Sequence, residues 1–264
     1  MESLSVCTPT YNDADTVARA LDSVSGFADE IVILDSDSDD GTREIVQRYD
    51  QAIIYDYEFQ GFADMFETAK ERASNEWLLY VDADEEVREP LAEEICEKLT
   101  APSRDAYKTT KRNRMWGRWM HAEHKERPIL ARRQALDWDD AVAGEEWHVR
   151  DGFNAGKLQN PIHHYAYDEI DEYVDKWLRY TAADALDDTQ NGQTPSILYY
   201  YLKGFGAFGY RYFYERSILD GWQGLFFALM SAIFYPAVDA QMRQLQAVRK
   251  HHDDWEEWWI DEKC

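Results

Sequence analysis

The chain has 264 residues, 45% of them hydrophobic and 14% aromatic, which excludes a disordered polymer and suffices for one large domain with an appendage. Asp and Glu number 52 against 28 Lys and Arg, a formal charge of −24, so the chain is a poor non-specific partner for nucleic acid. The acid excess runs through core-forming segments, and few lysines on a densely acidic surface suit a halophile's salt-loaded cytoplasm, where screening removes self-repulsion.

Cys7, Cys96 and Cys264 lie far apart without a CxxC pair, which argues against a disulfide framework or a zinc site. A strand-like run begins at Leu4, leaving no room for a signal peptide. No uninterrupted stretch of about 18 apolar residues occurs, so no classical transmembrane helix is expected. These features place the protein in the cytoplasm.

In chain order, residues 4–8 read as a buried strand. Asn12-Asp13 offers an N-cap to a helix over 14–24, with Val17, Ala20, Leu21 and Val24 on one face. Residues 30–35 (EIVILD) read as a second strand, followed by an acidic loop over 36–41 and a helix to residue 49. A strand over 52–55, a helix over 64–73 and a strand over 76–81 complete the alternation. Strand–helix alternation implies parallel βαβ units and an α/β sheet, with ligands at the carboxyl ends of the strands. Short β-like pieces over 107–110, 129–132 and 147–149 then alternate with charged loops. Beyond residue 168 the pattern is helical to residue 249, broken near 192–195 and 221. The simplest parse is a catalytic domain over 1–167, its nucleotide half within 1–100 and its acceptor half over 101–167, with a helical extension over 168–264.

Three polar clusters fall at strand ends. Asp82-Ala83-Asp84-Glu85 follows the apolar run WLLYV, and two carboxylates there suit a hard divalent cation that bridges a diphosphate. Thr8-Pro9-Thr10-Tyr11-Asn12 follows the first strand and offers hydroxyls and an aromatic ring to a nucleobase. The loop after Asp35 offers carboxylates to a base N–H, and equally reads as an acidic helix start favoured by the helix dipole.

TPTYN, EIVILDSDSDDGT and WLLYVDADE, in this order and each at a strand end, resemble the family 2 glycosyltransferases. The segments GFADMFETAKERASNEW, EEWHVRDGFNAGKL, HHYAY, EYVDKWLRY and ILDGWQGL are similar to the subgroup typified by lipopolysaccharide-core β-glucosyltransferases. The resemblance implies a GT-A, Rossmann-like, mostly parallel sheet. It implies an inverting transfer from a UDP- or GDP-sugar to a glycan or lipid-linked (polyprenyl- or dolichyl-type) hydroxyl, with Mn²⁺ or Mg²⁺. Residue by residue, it makes Thr8, Pro9, Tyr11, Asp35 and Asp82 nucleotide contacts. Asp82, Asp84 and His164 become metal or diphosphate contacts, and Glu146, with Glu145 as its neighbour in register, the general base. Lys176, Arg112 and Arg114 become candidates for donor or acceptor phosphate. The chain departs from the subgroup at Met65-Phe66-Glu67, where a Gln-Lys/Arg-Asn triplet is usual. A sugar nucleotidyltransferase shares the α/β layout but wants a Gly-rich basic loop after the first strand, which TPTYNDAD is not. A degenerate glycan-binding or scaffolding member is the non-enzymatic alternative.

Residues 196–250 hold six Lys and Arg against three Asp and Glu, and 14 aromatic residues. Basic and aromatic residues interleaved suit an interfacial helix at the inner face of the cell membrane. Lys203, Arg211 and Arg216 are the expected phosphate contacts, and Phe226 and Phe227 the apolar ones. The same segment also suits a core helix or a homo-oligomer interface.

Overall fold

The computed structural model describes residues 1–138, 147–250 and 255–263. It divides into two units: unit 1 comprises residues 1–113 and 123–166, and unit 2 comprises residues 114–122 and 167–264.

In unit 1 the chain runs through β1 (Leu4–Thr10), α1 (Val17–Val24), β2 (Glu30–Asp35), α2 (Thr42–Val46), β3 (Ala52–Asp56), α3 (Phe62–Arg72) and β4 (Trp77–Tyr80). Then come β5 (Glu85–Glu86), α4 (Glu89–Thr100), β6 (Ala106–Met115), β7 (Arg118–Arg132), β8 (Leu136–Trp138), β9 (Trp147–Val149), β10 (Ala155–Lys157) and β11 (Ile162–Tyr167). The main sheet has the order β3-β2-β1-β4-β7-β6-β11-β5, with β10 also on β6. The β1–β2, β2–β3 and β1–β4 pairs are parallel, whereas β7 is antiparallel to β4 and β11 to β5. The sheet is therefore mixed and mostly parallel in its first half, as the strand–helix alternation implies.

Strands β1, β2 and β4 are apolar over most of their length because both faces are covered. Ile31, Ile33 and Leu79 pack with Val17, Leu21, Leu91 and Ile95 on one face. Val32, Leu34, Leu78 and Tyr80 pack with Met65, Phe66 and Ala69 on the other. Side chains alternate across a pleated strand, so consecutive apolar residues feed two cores.

Three elements differ from the sequence expectation. Helix α1 begins at Val17 rather than residue 14, because the preceding backbone is bonded across to the next loop: Asp13 N–H donates to Thr42 Oγ1 (2.8 Å) and Ala14 N–H to Asp40 Oδ2 (2.9 Å). Helix α4 was not anticipated, although Leu91, Ile95 and Leu99 recur at helical spacing and are all buried. The short pieces expected over 107–110 and 129–132 are parts of long strands of 10 and 15 residues joined by Trp116-Gly117, whereas the piece over 147–149 is the short strand β9. Both turn residues have positive φ (48° and 79°), as a two-residue hairpin turn of primed type requires.

Unit 2 contains α5 (Ile170–Gln190), α6 (Ile197–Gly209), a π-helical turn (Tyr210–Tyr214), a 3₁₀ turn (Ser217–Asp220), α7 (Gly221–Val248) and α8 (Trp255–Lys263). Helices α6 and α7 pack closely: Gly204 lies against α7 where a Cβ would sit 2.2 Å from the Ala232 carbonyl oxygen. Tyr200, Val238 and Met242 are buried with Ala185 of α5. Trp259 closes a second cluster with Ala182, Leu186 and Leu245, its Nε1–H donating to the Ala182 carbonyl at 3.0 Å.

The segment Ser217–Val248 forms 32 helical residues whose best 18-residue window has a mean hydropathy of 1.4, long and apolar enough to cross a membrane by length and composition. Looking only for an uninterrupted apolar run missed this, because Gln, Ser and Pro interrupt the run without lowering the average much.

Candidate active site

The site is built from the carboxyl ends of β1, β2 and β4 and from one edge of the β6–β7–β11 region, all within unit 1. The register Thr8↔Ile33, Pro9↔Leu34, Thr10↔Asp35 sets the first two loops side by side. They are then sewn together. Asn12 N–H donates to Ser38 Oγ at 2.9 Å, and Asp39 N–H donates back to Asn12 Oδ1 at 2.9 Å. Asn12 takes φ +55°, a conformation Asn tolerates better than most residues.

Of the expected nucleotide contacts, Tyr11 is 64% exposed and Pro9 half-buried. Thr8 is buried, and its Oγ1 has no hydrogen-bond partner among the described residues. Asp35 behaves differently from expectation. It is 1% exposed, and its oxygens accept from Thr10 Oγ1 (2.9 Å), Ser38 Oγ (2.7 Å) and Arg43 Nη1 (2.8 Å). Burial alone would raise its pKa, but these bonds outweigh burial and hold the carboxyl below its ordinary value. In this structure the Asp35 carboxylate is therefore taken up by its own loop and by Arg43.

After β4 the chain turns tightly through Asp82–Glu85, with Glu85 N–H donating to the Asp82 carbonyl at 2.9 Å and Asp82 N–H to Glu85 Oε2 at 3.1 Å. Asp82 and Asp84 lie in this turn beyond the strand end, so the turn and not strand alternation presents them. Their side chains keep 29% and 30% exposure, enough to be reached by a ligand. Each has a different partner. Asp84 Oδ2 lies 3.0 Å from His164 Nε2, and His164 Nδ1 lies 2.9 Å from Asn113 Oδ1. Asp82 Oδ2 lies 3.4 Å from Lys111 Nζ and 3.3 Å from Arg127 Nη2.

Behind them sits Glu85, fully buried, with Lys111 Nζ at 2.6 Å and Arg127 Nη2 at 2.8 Å. This places two carboxylates, Asp82 and Glu85, against two cations in the interior. For Asp82 the cost of burial is outweighed by the fields of Arg127, Lys111 and His164, which hold its pKa well below the carboxylate range. For Asp84 burial is outweighed by His164. Asp13 goes the other way. Burial, with the neighbouring charges of Asp84, Asp40 and Asp82, overcomes the bond from Tyr11 N–H and pushes its pKa up to about 6.

Sequence reasoning assigned no role to Lys111, Asn113 or Glu85 and left Arg127 unassigned; all four belong to this site. Strand alternation explains the first two: Lys111 and Asn113 are two apart on β6 and face the same way, so the expected Arg112 points to the opposite face. Its charge acts on His163. Arg114 and Lys176 belong to unit 2, where they pair with Asp168 (2.7 Å) and Glu172 (3.2 Å). Glu145 and Glu146 lie outside the described residues.

The glycosyl transferase family 2 model matches residues 5–159, more than half of the chain. The chain belongs to that family. The transferase is 28% identical over 246 residues to an uncharacterized glycosyltransferase of Rickettsia felis, covering 85% of this chain and 83% of that protein. It is 29% identical over 192 residues to the lipopolysaccharide core biosynthesis glycosyltransferase LpsC of Rhizobium meliloti, covering 70% and 71% of the two chains. Mannosyltransferase PcManGT from Pyrobaculum calidifontis, solved with GDP-Man and Mn²⁺, aligns over 98% of this chain and 85% of its own, at TM-score 0.49 and 16% identity.

The donor chemistry of the site suits a divalent ion. Among the described residues no group of three or more His, Cys, Asp and Glu surrounds one point. An ion at a diphosphate does not need one, since Mg²⁺ is held by one or two carboxylates, with water and phosphate filling its other positions, and Asp84 supplies such a carboxylate with the His164 imidazole beside it. Asn113 steadies the ring through the other nitrogen.

Proposed function

We propose that this transferase moves a sugar from a nucleoside-diphosphate donor to a hydroxyl of a glycan or lipid-linked acceptor, with inversion at the anomeric carbon. The observation that carries the reading is the split of the DxD motif. Asp84 faces a histidine, and Asp82 faces two cations, at the end of the strand flanking the TPTYN loop. On this reading the β1 and β2 loops hold the nucleoside, with Tyr11 offering its exposed ring. Asp84 and His164 would hold Mn²⁺ or Mg²⁺, which when bound supplies positive charge to the departing diphosphate. Lys111 and Arg127 keep Asp82 ionised and fixed in place.

Glu146 is the proposed base, with Glu145 as the alternative one residue away. It takes the proton from the acceptor hydroxyl as the oxygen bonds to the anomeric carbon, and the bond from that carbon to the phosphate oxygen breaks on the opposite side. The products are the glycosylated acceptor and a nucleoside diphosphate. Glu146→Gln keeps the side-chain shape but cannot accept the proton, so transfer should fall by roughly 10²–10⁴-fold while donor binding persists. A large loss in Glu145→Gln together with an active Glu146→Gln would reassign the base. Full activity in both would remove it from this segment. The metal and donor are read by the thermal shift of the wild type with UDP, GDP and their sugars, with and without Mn²⁺. No nucleotide-dependent shift under any condition would contradict the reading.

A further inference from the structure

Unit 2 turns apolar side chains outward in a pattern that solvent does not favour. On α6, Leu198, Leu202 and Phe205 recur at i, i+4, i+7 and are 71%, 60% and 75% exposed. On α7, Trp222, Leu225, Leu229 and Ile233 recur at i, i+3, i+7, i+11, and each is at least 40% exposed. Helical spacing means each set forms one stripe along its helix. In the turns between them Phe213 and Tyr214 are also exposed. An exposed apolar patch of this extent marks an interaction surface.

Phe226 and Phe227, the residues first expected to meet lipid, face the interior instead. Phe226 packs at 5.1 Å centroid distance on Trp116, and Phe227 is 9% exposed beside Tyr173 and under the Arg211 guanidinium. Arg211 is also spoken for, with Glu215 at 2.7 Å. The stripe one helical step away carries the outward face.

Charge says what the patch fits. Residues 196–238 contain only two carboxylates, Glu215 and Asp220. Glu215 is taken by Arg211, and the fully buried Asp220 accepts from the His121 backbone N–H (3.0 Å) and lies 2.6 Å from His121 Nδ1. Within residues 196–238 the exposed charges are cationic, Lys203 and Arg216; Lys203 lies over the Tyr235 ring at 4.5 Å, and its charge also reaches Asp184 of α5. Tyr199, Tyr201, Tyr210 and Trp222 are exposed with them, and such amphipathic rings are favoured at headgroup depth. A second copy of the chain is a poorer occupant. In a twofold interface the patch meets itself, and within residues 196–238 Lys203 and Arg216 would find no exposed carboxylate.

We propose that the α6–α7 face lies on a phospholipid bilayer, with the α6 and α7 stripes among the upper acyl chains and Lys203 and Arg216 at the phosphates. It lies on the bilayer rather than across it. Helix α6 has 13 residues, roughly 20 Å, too short to span the roughly 30 Å hydrocarbon core. Helix α7 is held to its neighbours, with Trp177 Nε1–H donating to the Met230 carbonyl at 3.2 Å and Gly204 against Ala232. This attachment is independent of which acceptor the transferase uses.

The test is flotation of the full chain with vesicles of phosphatidylcholine alone and of phosphatidylcholine with an equal part of phosphatidylglycerol, across a KCl series. Wild type should float with both, and more so as salt screens the repulsion between the acidic body and the anionic lipid. Leu198→Ser/Leu202→Ser/Phe205→Ser should lower the bound fraction at least tenfold. Lys203→Glu/Arg216→Glu should lose more on the anionic vesicles than on the neutral ones. Ile53→Ser, an exposed apolar residue of β3, should float like wild type. All replaced side chains are exposed, so circular dichroism and thermal unfolding should match wild type. Wild type that never floats, or a triple variant that floats as wild type does, overturns the proposal. So does a wild-type dimer in sedimentation velocity that the triple variant converts to monomer without any flotation, since the face would then join two copies.

Discussion

The first hundred residues carry 26 Asp and Glu against seven Lys and Arg, whereas residues 196–250 carry three against six. The two regions also treat apolar groups in opposite ways. In unit 1 the sheet residues Leu4, Val6, Ile31, Val32 and Leu79 are fully hidden, and charge gathers at the strand ends. In unit 2 the fully hidden residues are fewer, and Leu198, Leu202 and Phe205 face outward. Net charge alone would describe one uniformly acidic protein. The local balance instead separates a region that gathers carboxylates around a few cations from a region that displays apolar surface with cations beside it.

If the unit 1 site is held by internal ion pairing, breaking one pair should be costly. Glu85 is fully buried between Lys111 and Arg127. Glu85→Gln removes the one fully buried carboxylate that Lys111 and Arg127 contact, leaving them Asp82 and, further off, Asp84, and the expected loss is about 3–5 kcal/mol in denaturant unfolding. A cost below about 1 kcal/mol would mean that water already solvates the cluster, and the contrast with unit 2 would lose its basis. Unit 2 should be held by close packing instead. Gly204→Val places a side chain against the Ala232 carbonyl, and about 1–3 kcal/mol of destabilisation is expected. Proteolysis should report it in α6 and α7 before any change appears in the β-sheet.

The smallest effect concerns Asp13. Its pKa is pushed up to about 6 in the folded protein, against about 4 when unfolded. The folded state therefore binds more protons between these values, and stability falls as pH rises from about 4 to 6. Asp13→Asn removes that penalty. The variant should match wild type near pH 4 and exceed it at pH 7 by an amount on the order of 1 kcal/mol, discounted for partial exposure. Asp35, whose pKa is lowered, contributes with the opposite sign: its stabilisation is present above pH 4 and fades as pH falls through its folded value. An Asp13→Asn variant no more stable than wild type at pH 7 would show that burial, with the neighbouring carboxylates, does not penalise the ionised Asp13.

The strand ends were legible because each of β1, β2 and β4 is an apolar run stopped by a polar cluster, and apolar runs covered on both faces are what a parallel sheet needs. The antiparallel half was not legible to the same degree. Lys111 and Arg127 lie within β6 and β7, where charge hid the strand period, and their purpose appears only once Glu85 is seen between them. His164 entered through resemblance, and the structure supplies the reason. Strand β11 pairs antiparallel with β5, setting His164 opposite Glu85, and the Tyr165 N–H bond to the Asp84 carbonyl (2.9 Å) fixes the turn beside it. In α7 the apolar run was read as a block. Separating its faces would have distinguished the inward Phe226 and Phe227 from the outward Leu225, Leu229 and Ile233.

The central claim is that Asp84 and His164 gather a divalent ion with a nucleoside diphosphate while Asp82 is held by cations. Calorimetric titration of UDP and of GDP into wild type, Asp84→Asn and His164→Ala, each with Mn²⁺ and with EDTA, tests it most directly. The account predicts that Mn²⁺ tightens binding of one nucleotide to wild type at least tenfold and that both variants lose this gain while melting at the wild-type temperature. Equal affinity with Mn²⁺ and EDTA in wild type, or an undiminished Mn²⁺ gain in Asp84→Asn, would contradict it.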